Sequence, residues 1–170
     1  ACLLIGVFIN HELNYDKFNA NADRIVRATM EYKQADIVNT VATAGTKVGP
    51  QFKRTFPAIE EYARTFISSS VIKSGDKVFD ESRVLFADDP FFKIFSFKLI
   101  EGNTSTALDA PDKIVLTQSM AKKYFGEADP INKTISIQLD TTFEEFTIKA
   151  VTANLPTNSS IQFELLISDL

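Results

Sequence analysis

The segment KIVLTQSMAKKYFGEADPINKTISIQL, residues 113–139, predicts a strand, a helix and a second strand in succession. The helix covers 118–125, with Thr117 placed to cap its first turn and Gly126 placed just beyond its last. After the helix, apolar and polar residues alternate over 135–139, as in a half-buried strand. This mixture predicts an α+β fold in which strands outnumber helices.

Patterns on either side extend this prediction. Residues 25–33 alternate between apolar and polar and predict a half-buried strand. A helix is predicted around 43–56; Pro50 must lie in its first turn or at its start, and Pro57 ends it. The other predicted strands are 59–68, 71–79, 83–87 and 144–152, with a turn at 74–76, and a last strand around 161–167 whose apolar residues share one face.

Five of the fifteen phenylalanines fall within FADDPFFKIFSFKL, residues 86–99. A short helix beginning at Pro90 places several of them on one side. Aromatic side chains of this kind are more often core anchors than a cofactor site. We therefore expect an anchor at the junction between two lobes, formed by Phe91, Phe92, Phe95 and Phe97.

The composition narrows the function classes. The formal net charge of −4 argues against a nucleic-acid-binding protein, which needs a basic surface. Cys2 and His11 are the single cysteine and histidine, so an intrachain disulfide, a multi-histidine metal site and a Cys–His pair are excluded. No phosphate-binding loop or catalytic triad is recognisable. The sequence predicts no enzyme, and no catalytic, cofactor-binding or metal-binding residues.

The first nine residues, ACLLIGVFI, carry no charge, and the polar run NHELNYDKF follows at once. As a helix, this run is only ~14 Å long, about half of a ~30 Å hydrocarbon core. It is therefore either a buried core helix or the outer half of a transmembrane helix that continues as a stalk to about Asp16. We favour the second interpretation, in which the membrane stub consists of Leu3, Leu4, Ile5, Val7, Phe8 and Ile9.

Five segments in order resemble the periplasmic core domain of MacB-like, FtsX-type ABC transporter permeases, in the version common in Bacteroidetes. They are FINHELNYDKFNANADRIVRATMEY, FPAIEEYAR, VLFADDPFFKIFSFKLIEGNTSTAL, KIVLTQSMAKKYFGEADPINKTI and FTIKAVTANLPTNSSIQFELLIS. Glu12 with Tyr15-Asp16, Asp88 before the phenylalanines, and the TQSMAKKYFG block are its most specific parts. One departure is Asn132, where similar proteins usually have glycine before the lysine.

This resemblance implies an inner membrane protein whose two-lobed domain lies in the periplasm. Residues 1–18 are expected to be the end of a transmembrane helix and a stalk. Residues 19–68 and 144–170 are expected to form a porter-like α+β lobe, and 69–143 an inserted β-rich lobe. The domain is expected to couple ATP hydrolysis in a cytoplasmic subunit to periplasmic movement, by mechanotransmission, efflux, or lipoprotein or peptide export.

The same resemblance implies several partners. These are the cytoplasmic ABC ATPase, reached through the full-length permease, a periplasmic adaptor or outer-membrane partner, and a second permease copy or half. It implies no cofactor and no nucleic acid. An extracytoplasmic sensor or ligand-binding domain of a membrane receptor also fits an apolar N-terminal helix and an acidic outer domain. An envelope enzyme fits the residue inventory less well.

Overall fold

The structure is a computed structural model that describes residues 2–169 as four α-helices and nine strands. In chain order they are α1 (Cys2–Leu13), β1 (Met30–Gln34), β2 (Ile37–Val41), α2 (Val48–Thr55), β3 (Thr65–Ser74), β4 (Lys77–Ala87), α3 (Phe91–Ile94), β5 (Leu99–Gly102), β6 (Lys113–Thr117), α4 (Gln118–Phe125), β7 (Thr134–Leu139), β8 (Thr142–Thr152) and β9 (Leu165–Ser168). The predicted α+β class is confirmed.

Seven strands form one mixed sheet in the order β5-β8-β6-β9-β4-β3-β7. Because β7 also pairs with β8, six of these strands close on themselves, and β5 extends the sheet from β8. The long strands β3 and β4 pair as an antiparallel hairpin, whereas β9 runs parallel to β4. The hairpin of β1 and β2 is a separate two-stranded sheet.

Two apolar cores lie on the two faces of the closed sheet. All six closed strands contribute side chains to one cluster, so that cluster fills the interior. Met120 and Tyr124 of α4 belong to it as well, which places α4 across one end of the closed sheet. The second cluster covers the outer face, where Phe91, Phe97 and Phe163 pack on residues such as Leu166.

The strand–helix–strand segment matches its prediction closely. Thr117 caps α4 by accepting a hydrogen bond from the backbone N–H of Met120 at 3.4 Å. Gly126 follows the helix with a φ of 64°, in the left-handed region that favours glycine. Asn132, which stands where glycine is usual, also has a positive φ of 61°. An asparagine tolerates this conformation better than most residues, so the local turn is kept.

Two predicted strands are wrong in their burial. The strand predicted at 25–33 starts only at Met30, and β1 and β2 are largely exposed because, within the described residues, they form a sheet of their own. At the other end of the chain, the strand is confined to Leu165–Ser168, and all four of its residues are buried. This strand lies between β4 and β6 with an apolar core on each face. Its side chains are therefore buried on both faces, and the predicted alternation of buried and exposed residues does not occur.

The other predicted helices and strands differ from the structure mainly in where they begin and end. The predicted helix 43–56 is shorter, Val48–Thr55, with Pro50 in its first turn as expected. Of the predicted strands 59–68 and 71–79, only 65–74 form β3; residues 59–64 are not strand, the turn follows at Gly75, and 77–79 already belong to β4. The α1 helix ends at Leu13 rather than near Asp16.

The predicted lobe limits fall inside regular structure. The limit at 68/69 lies in β3 and the limit at 143/144 lies in β8, and both strands continue across them. The division into two lobes stays a prediction, and its residues 1 and 170 lie outside the described part of the chain. Within the described residues, no helix has the length and apolar character needed to cross a membrane.

Candidate site at the joint between α1 and the closed sheet

Residues 14–20 connect α1 to the rest of the fold, and we call them the joint segment. On one side they bind the loop 156–162. The backbone N–H of Asp16 donates to the carbonyl of Asn158 at 2.8 Å, and the Asn158 side chain donates back to the carbonyl of Asn14 at 2.8 Å. The carboxylate of Asp16 accepts a further bond from the backbone N–H of Ser160 at 2.8 Å.

On the other side the joint segment binds residues 88–98, between β4 and β5, which we call the phenylalanine-rich loop. The side-chain oxygen of Asn19 accepts from the backbone N–H of Ser96 at 2.9 Å. The hydroxyl of Ser96 accepts from the backbone N–H of Ala20, also at 2.9 Å. Asn19 is 6% exposed and also donates to the carbonyl of Asp16, so one buried amide ties the segment to the loop and to itself.

An aromatic contact lies beneath these hydrogen bonds. Phe18 packs against Phe97 with ring centroids 5.2 Å apart. Phe97 in turn stacks on Phe91 at 5.6 Å and meets the edge of Phe163 at 5.4 Å. The joint segment is therefore held by polar contacts to two loops and by the ring of Phe18 packed against Phe97 of the outer core.

Further hydrogen bonds order the two loops. The side chain of Gln162 donates to the carbonyls of Pro156 and Ser159, at 2.7 and 3.0 Å, which holds the loop 156–162 in a compact turn. At the end of the phenylalanine-rich loop, the carbonyl of Lys98 accepts from the hydroxyl of Thr152 at the end of β8, at 2.9 Å.

The four predicted anchor phenylalanines lie directly below this joint. Phe91 is fully buried and Phe97 nearly so, whereas Phe92 and Phe95 are half-buried against the same cluster. Phe91 contacts the rings of both half-buried residues, with centroids 5.4 and 5.0 Å away. Their role as a junction between lobes stays a prediction, since the lobe limits are themselves a prediction.

Helix α1 has no packed face in the described structure. Its apolar side chains are between 49% and 83% exposed over the six residues predicted as the membrane stub, Leu3, Leu4, Ile5, Val7, Phe8 and Ile9. At its end, His11 and Tyr15 meet edge to face with ring centroids 6.0 Å apart. Ala1, the first residue of the predicted stub helix, lies outside the described residues.

An ion pair with a buried carboxylate fixes the start of the phenylalanine-rich loop. Asp88 is 5% exposed, and its carboxylate accepts from the backbone N–H of Arg64 at 2.8 Å and from the guanidinium at 2.6 and 2.9 Å. These hydrogen bonds raise the pKa of Arg64 above its ordinary value. Asp88 therefore joins the chain before β3 to the chain after β4.

A second buried carboxylate fastens α4. Glu81 of β4 is 3% exposed and accepts from Lys123 at 2.6 Å and from the hydroxyl of Tyr124 at 2.8 Å. Burial, followed by the hydrogen bond to Glu81, raises the pKa of Tyr124 well above its ordinary value. Both carboxylates are fully engaged in structural contacts. In residues 2–169, no group of His, Cys, Asp and Glu side chains is placed to hold a metal ion.

Asn19, Ser96 and Asn158 were not singled out from the sequence. Asn19 begins a run of turn-forming residues, and Asn158 follows Pro156 in the last connection, so both were assigned to loops. Their partners lie 76 or more positions away along the chain, and no periodic pattern marks such a pair.

Comparison with known proteins gives a family. The model of the MacB-like periplasmic core domain matches residues 1–168. A domain of a protein described as a permease, from Porphyromonas gingivalis, aligns with a TM-score of 0.61 and 28% identity over 71% of this chain and 55% of that chain. The periplasmic region of MacB from Actinobacillus actinomycetemcomitans shares the fold, with a TM-score of 0.51 and 19% identity over 72% of this chain and 53% of that chain.

The chain therefore spans little more than half the length of these two solved structures. No curated protein matches the sequence significantly.

Proposed function

The chain belongs to the family of MacB-like periplasmic core domains, and we propose that it is the part of an ABC transporter permease that passes movement of α1 to the closed sheet. The whole protein lies in the inner membrane in this proposal, with the described domain in the periplasm. ATP is hydrolysed by a separate cytoplasmic subunit, and the domain itself is not catalytic.

The observation that carries the proposal is the two-sided attachment of the joint segment. A flexible linker would let α1 tilt or rotate without effect on the sheet. Here the segment is bonded to two loops at once, and each hydrogen bond contributes about 0.5–1.5 kcal/mol. Phe18 adds an aromatic contact to the outer core. Movement of α1 is then transmitted instead of being absorbed at its end.

The exposed apolar surface of α1 indicates where the movement starts. An apolar helix surface of this size is typical of contact with lipid or with neighbouring membrane helices. We infer that α1 is the membrane-proximal end of a transmembrane helix. A change between ATPase states moves that helix, and the joint segment delivers the displacement to the phenylalanine-rich loop, which the predicted lobe-junction residues anchor in the core.

The partners follow from this arrangement. The permease needs the cytoplasmic ATPase, and a second permease copy or half completes the membrane unit. A periplasmic adaptor or outer-membrane protein receives the movement, for efflux, for release of a lipoprotein or peptide, or for control of another envelope protein.

The test uses the full-length permease purified from membranes by an affinity tag. We expect an ABC ATPase to co-purify, and we expect ATP to change the distance between spin labels on α1 and on the sheet. The double substitution Asp16→Ala/Asn19→Ala removes the side-chain bonds of the joint to Ser160 and Ser96 and is expected to abolish that change while the ATPase still co-purifies.

The matched control is Asp36→Ala/Asn39→Ala, which removes the same two residue types from the exposed β1–β2 hairpin. It is expected to leave the ATP-dependent distance change intact. An unchanged response in the Asp16/Asn19 variant would contradict transmission through the joint. A permease that co-purifies with no ATPase would instead favour a sensor domain.

A further inference from the structure

The outer edge of β3 is only partly paired. In the described residues, β7 pairs with β3 only at Ile72 and Lys73, and then turns into β8 at Asp140. The first half of β3 therefore presents unpaired backbone groups on that side. Five residues, 65–69, span ~17 Å of strand. Phe66 and Ile67 in this half are 50% and 56% exposed. A long, apolar, unpaired edge is a template for another strand.

A cleft of about 590 Å³ lies along this edge. Four consecutive residues of β3, 68–71, line it, so it follows the strand edge instead of one face of the sheet. Phe66 and Phe86 line it too, stacked almost parallel with centroids 4.5 Å apart. The cleft runs along β3 from Phe66 to Val71 and past the end of β7.

The charge of the lining is one-sided. Asp80, Asp140 and Asp169 line the cleft, and no lysine or arginine is among its lining residues. None of the three takes part in an ion pair within the described residues. They are also not gathered closely enough to hold a metal ion. Separated carboxylates along a groove suit a ligand that carries positive charge on an extended body.

We propose that this cleft binds an extended peptide segment of a protein partner that carries lysine or arginine, and that the peptide adds to β3 as a new strand. Backbone pairing along 65–69 gives affinity, as in other strand-addition complexes. The three aspartates select a basic side chain. A purely apolar strand would cover the carboxylates without pairing them, which is costly. This inference does not depend on transmission through the joint.

The probe is the fluorescein-labelled heptapeptide Thr-Val-Lys-Val-Lys-Val-Thr, titrated with the 170-residue chain and followed by fluorescence anisotropy. We expect saturable binding that weakens as salt is added. We also expect slower hydrogen exchange at the backbone amides of 65–70. A peptide with glutamate in place of lysine, and one with alternate backbone N-methyl groups, should both fail to bind.

The matched variants each remove two negative charges. Asp140→Asn/Asp169→Asn alters the cleft, and asparagine tolerates the positive φ of 51° at residue 140. It should weaken binding about three- to tenfold. Asp36→Asn/Asp76→Asn, in the two exposed hairpin turns, should leave binding within about twofold.

Three results would overturn the proposal. Equal weakening in both variants would show attraction to overall charge alone. Equal binding of the N-methylated peptide, or unchanged exchange at 65–70, would exclude strand addition. Absence of binding at millimolar peptide would remove the site altogether.

Discussion

Two pairs of phenylalanines in this protein have opposite surroundings. Phe91 and Phe97 are 0% and 6% exposed, in the outer core beneath the joint segment. Phe52 and Phe56, at four-residue spacing in and just after α2, are 44% and 51% exposed. Each pair has its rings in contact, with centroids 5.6 Å apart in both cases. An apolar pattern therefore predicts a helix, whereas burial depends on an element that covers it.

Two ion pairs, Arg64–Asp88 and Arg24–Glu60, also differ in how far they are exposed to solvent. Asp88, whose side chain is 7% exposed, pairs with the 40% exposed side chain of Arg64, and the Arg64 backbone N–H reinforces the pair. Arg24 and Glu60 also form an ion pair, but their side chains are 63% and 71% exposed. Water screens the second pair and leaves the first largely intact. The two regions thus contain similar residues in similar pairs, with different consequences for stability.

The largest expected effect comes from the aromatic pairs. Phe91→Ala leaves a cavity in the outer core, and we expect the free energy of unfolding to fall by ~3–5 kcal/mol. Phe52→Ala removes an exposed ring and should change it by less than about 0.5 kcal/mol. Urea denaturation of both variants measures the difference. If both variants lost the same free energy of unfolding, the ring of Phe52 would be buried in solution, and the difference between the two phenylalanine pairs would not hold.

The ion pairs should differ by a smaller amount. Asp88→Asn keeps the shape of the side chain but removes the charge from its hydrogen bonds to Arg64. We expect a loss of ~1.5–3 kcal/mol, against ~0–1 kcal/mol for Glu60→Gln in the exposed pair. Denaturation at low and high salt checks this, since only the Glu60 effect should disappear at high salt. A salt-sensitive Asp88 effect would argue against burial of that pair.

Loss of a hydrogen bond in the joint segment should lower the free energy of unfolding by less than the loss of Phe91. Asn19→Ala removes the acceptor for the Ser96 backbone N–H and leaves that group without its partner, which costs ~1–3 kcal/mol. Hydrogen exchange should become faster at Ser96 and Ala20. Exchange in β9, on the far side of the outer core, serves as the internal control and should stay slow. Uniform acceleration across the protein would show a loss of global stability instead of a local joint.

The smallest expected effect concerns α4 and pH. The pKa of Tyr124 is raised in the folded protein, while the same side chain ionises near pH ~10 in the unfolded chain. The unfolded state therefore loses its proton first, so the stability contributed by Tyr124 is present below pH ~10 and is lost as the pH rises above that value.

Tyr124→Phe has no hydroxyl to ionise and lacks this loss. Comparison of unfolding free energies at pH 9 and pH 11 should show the gap between wild type and variant narrowing by ~1 kcal/mol. A constant gap would mean that Tyr124 ionises alike in both states.

Local chemistry explains what the sequence could predict. The cap at Thr117, the turn at Gly126 and the alternation over 135–139 lie within a few residues of one another, and all three were correct. The β9 strand was misjudged because its burial on both faces depends on β4, β6 and the two cores. The joint escaped detection because its bonds link positions far apart in the chain. The family could be predicted from the resemblance, whereas the contacts of the joint segment became visible only in the structure.

Transmission requires that the joint hold α1 rigidly on the closed sheet. Pulsed electron paramagnetic resonance tests this rigidity with spin labels at Glu12→Cys in α1 and Ser82→Cys in β4, both exposed, in a Cys2→Ser background. We expect one narrow distance distribution that becomes broad when Asp16→Ala/Asn19→Ala is added. A broad distribution in the chain with an intact joint would contradict it.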